Sequence, residues 1–432
     1  MVLRSLEQEM RRLKVPGVSV AVIHGGRLAW AKGYGVTTAG GPAVTAATLF
    51  QAASISKSIT AMGTLQMAQS GLVDLDRNVN DYLARWKLAY PAGVGQVSLR
   101  QLLSHTAGTT VSGFPGYAPG AAVPTLVQVL GGVKPASTEA VRVTAAPGLE
   151  WRYSGGGYTV IQQLMMDVAG QPFDALMAAR VLRPLGMKDS SFAQPMSAAI
   201  AARAAMPHDG AGQPYPGGPN TYPELAAAGM WTTPTDLAKF VLSVQASARG
   251  RGGQVLRPAM ASAMLGPVKN GYALGLEIAG AGAARSFAHG GSNRGYQNSL
   301  FAYSALGEGA VVMTNSDAGA DLARAVIRAI AAEYKWPSYQ TVERAAVPVT
   351  AATAHKLAGK YAIEGLGDFE ITDDGGQPVF WLKAGQGEPL YAASASEYFV
   401  LSQQLELHWD GPDAQGGRLV AAPFDVRFER VR

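Results

Sequence analysis

The chain contains no cysteine, so covalent acyl chemistry has only hydroxyls to work with, and one serine stands where it could be activated. Ser54-Ile55-Ser56-Lys57 opens a run in which Ile55, Ile59, Met62 and Leu65 recur at spacings of three and four, the signature of a helix. At that spacing Ser54 and Lys57 share a face one turn apart, and an amine can reach the hydroxyl. A helix start also brings free N–H groups and positive potential to the place where a carbonyl oxygen would gain charge. Lys57 serves as a base only if desolvation lowers its pKa toward neutrality. The plain alternative is a helix-capping serine followed by a solvated lysine.

Two further segments carry groups suited to the same reaction. Trp151-Arg152-Tyr153-Ser154-Gly155-Gly156-Gly157 puts Tyr153 on a glycine-rich loop before a helix, where its hydroxyl could act as base or proton relay; a half-buried packing tyrosine is the alternative. Phe287-Ala288-His289-Gly290-Gly291-Ser292-Asn293-Arg294 ends a strand. Its glycines let a substrate lie against the edge, and the Ser292 amide could join that of Ser54 in an oxyanion hole. His289 alone reads as a structural histidine; taken together with Ser54, Lys57 and Tyr153 it is a catalytic candidate. No Gly-x-Ser-x-Gly, His-Glu-x-x-His or P-loop pattern is present.

The elements that must position these groups follow from periodicity. Val18 to Ile23 and Leu28 to Gly33 predict a β-hairpin across His24-Gly25-Gly26-Arg27. Ser98 and Gln101 predict a capping box and a short helix closed by Gly108, and Thr125 to Leu130 a second one. Gly157 to Ala169, Phe173 to Leu182 and Pro234 to Val244 predict helices. The period then returns to two over Tyr272 to Ile278, Ser286 to His289, Asn298 to Tyr303 and Ala310 to Thr314, before a long helix from Ala318 to Tyr334. This order implies an α/β chain of the α+β type, an antiparallel β-sheet flanked by helices with a mostly helical lobe over roughly 72–270. Pro337 to Thr353 reads as a linker. Six strand-like runs follow, Lys360 to Ile363, Asp368 to Thr372, Val379 to Lys383, Glu397 to Leu401, Leu405 to Trp409 and Val426 to Val431, and they suggest a small all-β barrel or sandwich. The expected domains are 1–340 and 341–432.

Composition removes other classes of answer. The 432 residues are 48% apolar and 16% charged, which excludes disorder and coiled coil. Thirty-six basic residues face 31 acidic ones without a Lys/Arg block, so no nucleic-acid partner is expected. No apolar stretch is long enough for a transmembrane segment. Met1 to Lys14 lacks the pattern of a secretory signal, so either the protein stays in the cytoplasm or this chain is a processed form.

Taken in order, the three chemical segments resemble the serine β-lactamase and penicillin-binding-protein superfamily. The nearest likeness is to its class C-like branch, with family VIII carboxylesterases, D-amino-acid peptidases and D-Ala-D-Ala carboxypeptidases. Leu49 to Lys57, Leu102-Leu103-Ser104-His105-Thr106-Ala107-Gly108, Pro184-Leu185-Gly186-Met187 and Gly229-Met230-Trp231-Thr232-Thr233 look like recurrent blocks of that family, from about Leu3 to about Trp336. The resemblance implies that Ser54 forms an acyl-enzyme and that Lys57 and Tyr153 share its deprotonation and the protonation of the leaving group. It implies no metal or cofactor. His105 would be structural there, not part of a Ser-His-Asp triad.

Two departures bear on the substrate. Tyr153-Ser154-Gly155 stands where a Tyr-x-Asn is common, and His289-Gly290-Gly291 where Lys-Thr-Gly is common. A histidine near its reference pKa of about 6.5 is no fixed cation, so a carboxylate anchor is weakened, although Arg294 could restore one beside Gly290 and Gly291. The expected function is therefore a serine hydrolase on short-chain carboxylic esters or small amides, with room for weak β-lactam hydrolysis. The alternatives are a D-amino-acid or D-Ala-D-Ala peptidase, a β-lactamase, or a slowly acylating penicillin-binding or sensing protein. The C-terminal unit resembles a lipocalin-like domain, which in that superfamily borders the active-site entrance or mediates assembly, so a homo-oligomer is one expectation. Export to the periplasm or medium is favoured by the resemblance alone.

Overall fold

The molecule, a computed structural model, is described over residues 5–91, 93–339, 344–364, 366–382, 387–401, 405–411, 415–421 and 424–431. The expected strand end at Lys383 and the residues 1–4 and 340–343 lie outside them. It divides into two compact units, Met1–Gln340 and Thr341–Arg432.

In the first unit Ser5 and Gln8 form a capping box that starts α1 (Leu6–Leu13). The hairpin β1 (Gly17–His24) and β2 (Arg27–Gly35) follows, turning at Gly25 and Gly26, both at positive φ, where a side chain would be strained. β3 (Phe50–Gln51) and a 3₁₀ turn, Ala53–Ile55, lead into α2 (Ser56–Gln69). The lobe contains α3 (Leu99–Leu103), α4 (Leu126–Gly131), α5 (Gly155–Ala169), α6 (Phe173–Met177), α7 (Ala198–Ala201) and α8 (Leu225–Ala228). β4 (Trp231–Thr232) then pairs back onto β3, and α9 (Pro234–Ala248) and α10 (Pro258–Leu265) complete the lobe side. β5 (Glu277–Ala279), β6 (Ser286–Asn293), β7 (Tyr296–Tyr303), β8 (Gly309–Thr314) and α11 (Gly319–Glu333) close the unit.

The sheet order is β2-β1-β8-β7-β6-β5, antiparallel at every step. Both faces are covered, which is why β1 and β8 read as nearly unbroken apolar runs. Val18, Val20 and Val22 pack with Leu322, Ile327 and Ile330 of α11. Ala21 and Ile23 face the opposite core, shared with Ile59 and Met62 of α2 and with Leu237 and Val241 of α9.

Several expectations shift. The strand expected from Tyr272 shrinks to Glu277–Ala279, because Gly271 and Gly275 take positive φ and the Gly275 amide bonds Leu103 instead of a strand partner. The capping box at Ser98 is present, but its helix ends at Leu103, two residues before His105 turns to a φ of 60°. Ser54 does not cap α2; it is the middle residue of the 3₁₀ turn, and α2 has no side-chain cap.

In the second unit α12 (Ala351–Leu357) occupies part of the stretch expected as linker. Nine strands follow among the described residues: β9 (Gly359–Ile363), β10 (Gly367–Asp374), β11 (Gln377–Trp381), β12 (Gly387–Pro389), β13 (Tyr391–Ala392), β14 (Glu397–Phe399), β15 (Glu406–Trp409), β16 (Gly416–Ala421) and β17 (Phe424–Arg430). Their order is β12-β11-β10-β9-β17-β16-β15-β14-β13. The two edge strands are separated in the chain only by the buried Leu390, so the sheet curls into a nearly closed barrel. Its interior is filled by Tyr361, Phe369, Phe380, Trp409 and Phe428, whose rings meet at centroid distances of 4.8 to 5.7 Å.

Candidate active site

Ala53, just before Ser54, has a φ of 51°, a left-handed conformation that costs an alanine about 1 kcal/mol or more. The surrounding packing holds it: Ala53 and Ile55 are fully buried, the Ser56 hydroxyl accepts from the Met230 amide at 3.1 Å, and the Ser58 hydroxyl donates to the Gly275 carbonyl at 2.7 Å. Ser54 itself is half-buried.

Lys57 is buried, and its Nζ lies 3.0 Å from Ser54 Oγ and 2.8 Å from the Ala227 carbonyl oxygen. That carbonyl belongs to the last turn of α8, where helix carbonyls lack intrahelical partners. The rings of Tyr153 and Tyr158 approach the amine with centroids at 5.0 and 5.8 Å. Burial pushes the lysine pKa down to about 7, so near neutral pH a large fraction is free amine able to accept a proton from Ser54.

Tyr153 is half-buried. Burial raises its pKa well above the usual phenol value, outweighing the Ser54 hydrogen bond that lowers it. The phenol therefore keeps its proton at neutral pH and is suited to donate it. Ser154 caps α5 with its hydroxyl, which accepts from the Gly157 amide at 2.9 Å and donates to the Thr110 carbonyl at 2.8 Å. The glycines after it are needed for packing. A Cβ on Gly156 would come within 2.6 Å of the Thr110 carbonyl oxygen, and one on Gly155 within 3.0 Å of the Phe114 ring. The position where the family carries an asparagine thus sits against Phe114.

His289 is buried, with Nε2 3.0 Å from the Tyr272 hydroxyl and Nδ1 2.6 Å from the Gly290 carbonyl oxygen. The carbonyl can only accept, so the proton is on Nδ1 and Nε2 accepts from Tyr272. Burial, helped by the nearby Lys57 charge, pushes its pKa down to about 4. The imidazole is neutral and both nitrogens are engaged.

The β6 edge beside this group is open. β5 pairs with β6 only over Ser286 to Ala288. The Ser304 amide donates to the Arg285 carbonyl, which sets the parity of the β6–β7 ladder: odd-numbered residues of β6 bond β7, and Gly290 and Ser292 turn their amides to the free edge. That orientation suits the oxyanion role expected of the Ser292 amide; its hydroxyl accepts from Gln297 Nε2 at 2.8 Å. Gly291 lies directly against the nucleophile segment, since a Cβ there would meet the Ala52 carbonyl oxygen at 2.3 Å, whereas Gly290 has nothing closer than 4.0 Å. Arg294, at the tip of the β6–β7 hairpin, lies over the Tyr215 ring at 3.9 Å, with one amino group 3.5 Å from Asn220 Oδ1.

Residues that sequence reasoning missed tie these parts together. Asn293 donates to Gln51 Oε1 at 2.8 Å, Gln51 to the Asn220 carbonyl at 2.7 Å, and Asn298 to the Gln51 carbonyl at 2.8 Å. Tyr272 holds His289, and the Ala227 carbonyl holds Lys57. A carbonyl contact has no sequence signal; Gln51 is an isolated polar residue in an apolar block, and Asn293 and Asn298 sit among other polar residues with nothing to single them out.

A family model described as Beta-lactamase matches residues 3–335. Among curated proteins, Protein flp of Staphylococcus aureus (strain MW2) is 24% identical over 199 residues, covering 44% of this chain and 37% of that protein; the match thus spans well under half of the relative's length. Among solved structures, the octameric penicillin-binding protein homologue from Pyrococcus abyssi superposes with a TM-score of 0.66 at 21% identity, covering 98% of both chains. The D-amino acid amidase from Ochrobactrum anthropi SV3 does so with a TM-score of 0.62 at 22% identity, over 77% of this chain and 96% of that one.

Proposed function

The chain belongs to the Beta-lactamase family, and from that premise we propose that it is a serine hydrolase that cleaves short-chain carboxylic esters or small amides through a Ser54 acyl-enzyme. The observation that carries this reading is the buried Lys57 amine 3.0 Å from Ser54 Oγ. In the proposed reaction neutral Lys57 takes the Ser54 proton as Oγ bonds the acyl carbon, and the oxyanion is met by the Ser54 and Ser292 amides. As the tetrahedral intermediate collapses, Tyr153 gives its proton to the departing alkoxide or amine and regains one from the Lys57 ammonium. Water then attacks the acyl-enzyme with the same groups acting in reverse, releasing the carboxylic acid.

The preference for neutral acyl groups rests on the third motif. His289 is uncharged and turned toward Tyr272, and Arg294 is stacked on Tyr215, so a carboxylate would meet no prearranged cation at the Gly290–Gly291 edge. A D-amino-acid or D-Ala-D-Ala peptidase or a β-lactamase is the competing reading, and it requires Arg294 to leave Tyr215. Incubation with a fluorophosphonate followed by intact-mass analysis tests the nucleophile: an adduct on the wild type that Ser54→Ala abolishes is expected, and its absence would sink the reading. Parallel assays with nitrophenyl butyrate, a chromogenic cephalosporin and D-alanyl peptides test the substrate class; fast turnover of the cephalosporin alone would defeat the ester preference. Homo-oligomerisation belongs to the same proposal, supported by the octameric relative, and is checked by sedimentation.

A further inference from the structure

His105 is fully buried beneath the site, and the reaction proposed above gives it no part. Its contacts converge on one neighbour. The His105 carbonyl accepts from the Arg152 amide at 2.8 Å, and its Nδ1 accepts from the Ser154 amide at 3.1 Å. Both residues that flank Tyr153 are thereby fastened to a single residue. The imidazole also lies against the Tyr153 ring, centroid to centroid 4.3 Å. The φ of 60° at His105 lets carbonyl and side chain reach the same loop, and histidine is one of the few residue types that adopt this conformation readily.

We infer that His105 is a positioning residue whose Nδ1 holds the Tyr153 loop so that the phenol can deliver its proton to the leaving group. The inference rests on the reading of Tyr153 as that proton donor. An Nδ1 that accepts a hydrogen bond requires a neutral ring with its proton on Nε2, and Nε2 is buried with no hydrogen-bond partner among the described residues. The titratable groups around the ring are Lys57 on α2, His289 on β6, and Tyr153, Tyr158 and Tyr272. Burial, helped by the nearby Lys57 amine, holds the His105 pKa well below its ordinary value, so the acceptor persists through the neutral range.

The test uses leaving groups that differ in their need for a proton. An ethyl ester expels a strongly basic alkoxide, whereas a nitrophenyl ester expels a stable anion. His105→Ala is expected to lower turnover of the ethyl ester about 100-fold, in the range typical of lost acid catalysis, and that of the nitrophenyl ester by less than about 10-fold, with KM little changed. His105→Asn places an amide oxygen where Nδ1 was, tolerates the same backbone conformation, and is expected to keep the wild-type ratio of the two rates within about threefold. If the alanine variant does not fold, the asparagine variant decides alone: a collapsed ratio in the folded protein overturns the inference, and a preserved one supports it. Wild-type protein that labels at Ser54 while His105→Ala keeps its rate ratio overturns this inference alone. Wild-type protein that does not label at Ser54 overturns the reading of the site and this inference with it.

Discussion

Lys57 Nζ donates to the Ala227 carbonyl at 2.8 Å, so the amine of the proposed base ends on the last turn of α8 and not on a carboxylate. A counter-ion would hold the lysine charged; a neutral acceptor orients it while burial lowers its pKa to about 7. The acylation rate should therefore rise with pH through a single step centred near 7. Stopped-flow or labelling rates between pH 5 and 9 check this, and a flat profile would count against Lys57 as the base.

The same burial makes Lys57 costly to the fold. Its folded pKa lies below the unfolded value of 10.5, so the folded state binds fewer protons and stability is lost as pH falls from about 10 to about 7. Lys57→Met should raise the thermal midpoint at pH 7, by about 2 kcal/mol in stability, while lowering acylation at least about 100-fold. A destabilised methionine variant would show that the amine's two hydrogen bonds outweigh its desolvation.

Glu224 opens α8 with both carboxylate oxygens buried and no hydrogen-bond partner from another side chain or backbone group among the described residues. Burial raises its pKa to about 7. The folded state binds the extra proton, so stability falls as pH rises from about 4.5 to about 7, by up to about 3 kcal/mol. Glu224→Gln should unfold at a higher temperature than wild type at pH 8 and at nearly the same one at pH 4.5. Equal midpoints at pH 8 would mean that the carboxylate is satisfied there.

His289 is held near a pKa of 4, below its unfolded value, so its contribution runs the opposite way: stability is intact above about 6.5 and declines as pH falls toward 4. Its imidazole resonances should not titrate between pH 5 and 8, and the acylation profile should carry no second step in that interval. A histidine titrating near 6.5 that disappears in His289→Asn would refute this.

Gly290 and Gly291 are adjacent, yet only Gly291 should be sensitive to alanine. At Gly291 the new methyl would displace the Ala52 carbonyl and with it the 3₁₀ turn that carries Ser54; a loss of about 2 kcal/mol and at least 10-fold in labelling rate is expected. At Gly290 the methyl meets open space, and stability should be unchanged within about 0.5 kcal/mol. Thermal unfolding of the two variants side by side decides it.

What could be read in the sequence was what depends on local spacing. The three-residue interval between Ser54 and Lys57, the proline that opens α9 and the alternation at the start of β7 each follow from one segment's own geometry. Contacts between segments were not legible: Ala227, Tyr272 and Gln51 act on residues far away in the chain. Short elements were also hidden. β12 and β13 have three and two residues, too few for a period to show. β16 begins with Gly416-Gly417, which reads as a turn, yet a Cβ on Gly417 would strike the His408 carbonyl at 2.1 Å, so the glycine is what lets that strand pair. The helix Ala351–Leu357 begins inside the stretch, Pro337 to Thr353, that reads as a linker.

One pairing in the first sheet carries a kinetic consequence. Val18 of β1 lies opposite Thr314 of β8, so a ribosome must make nearly the whole unit before β1 finds a partner on that side. Closing so long a loop costs roughly 5 kcal/mol in chain entropy, met only when the lobe has already drawn the ends together. Until then β1 waits with an apolar edge exposed, which makes slow, chaperone-dependent maturation the expected behaviour of newly made chains.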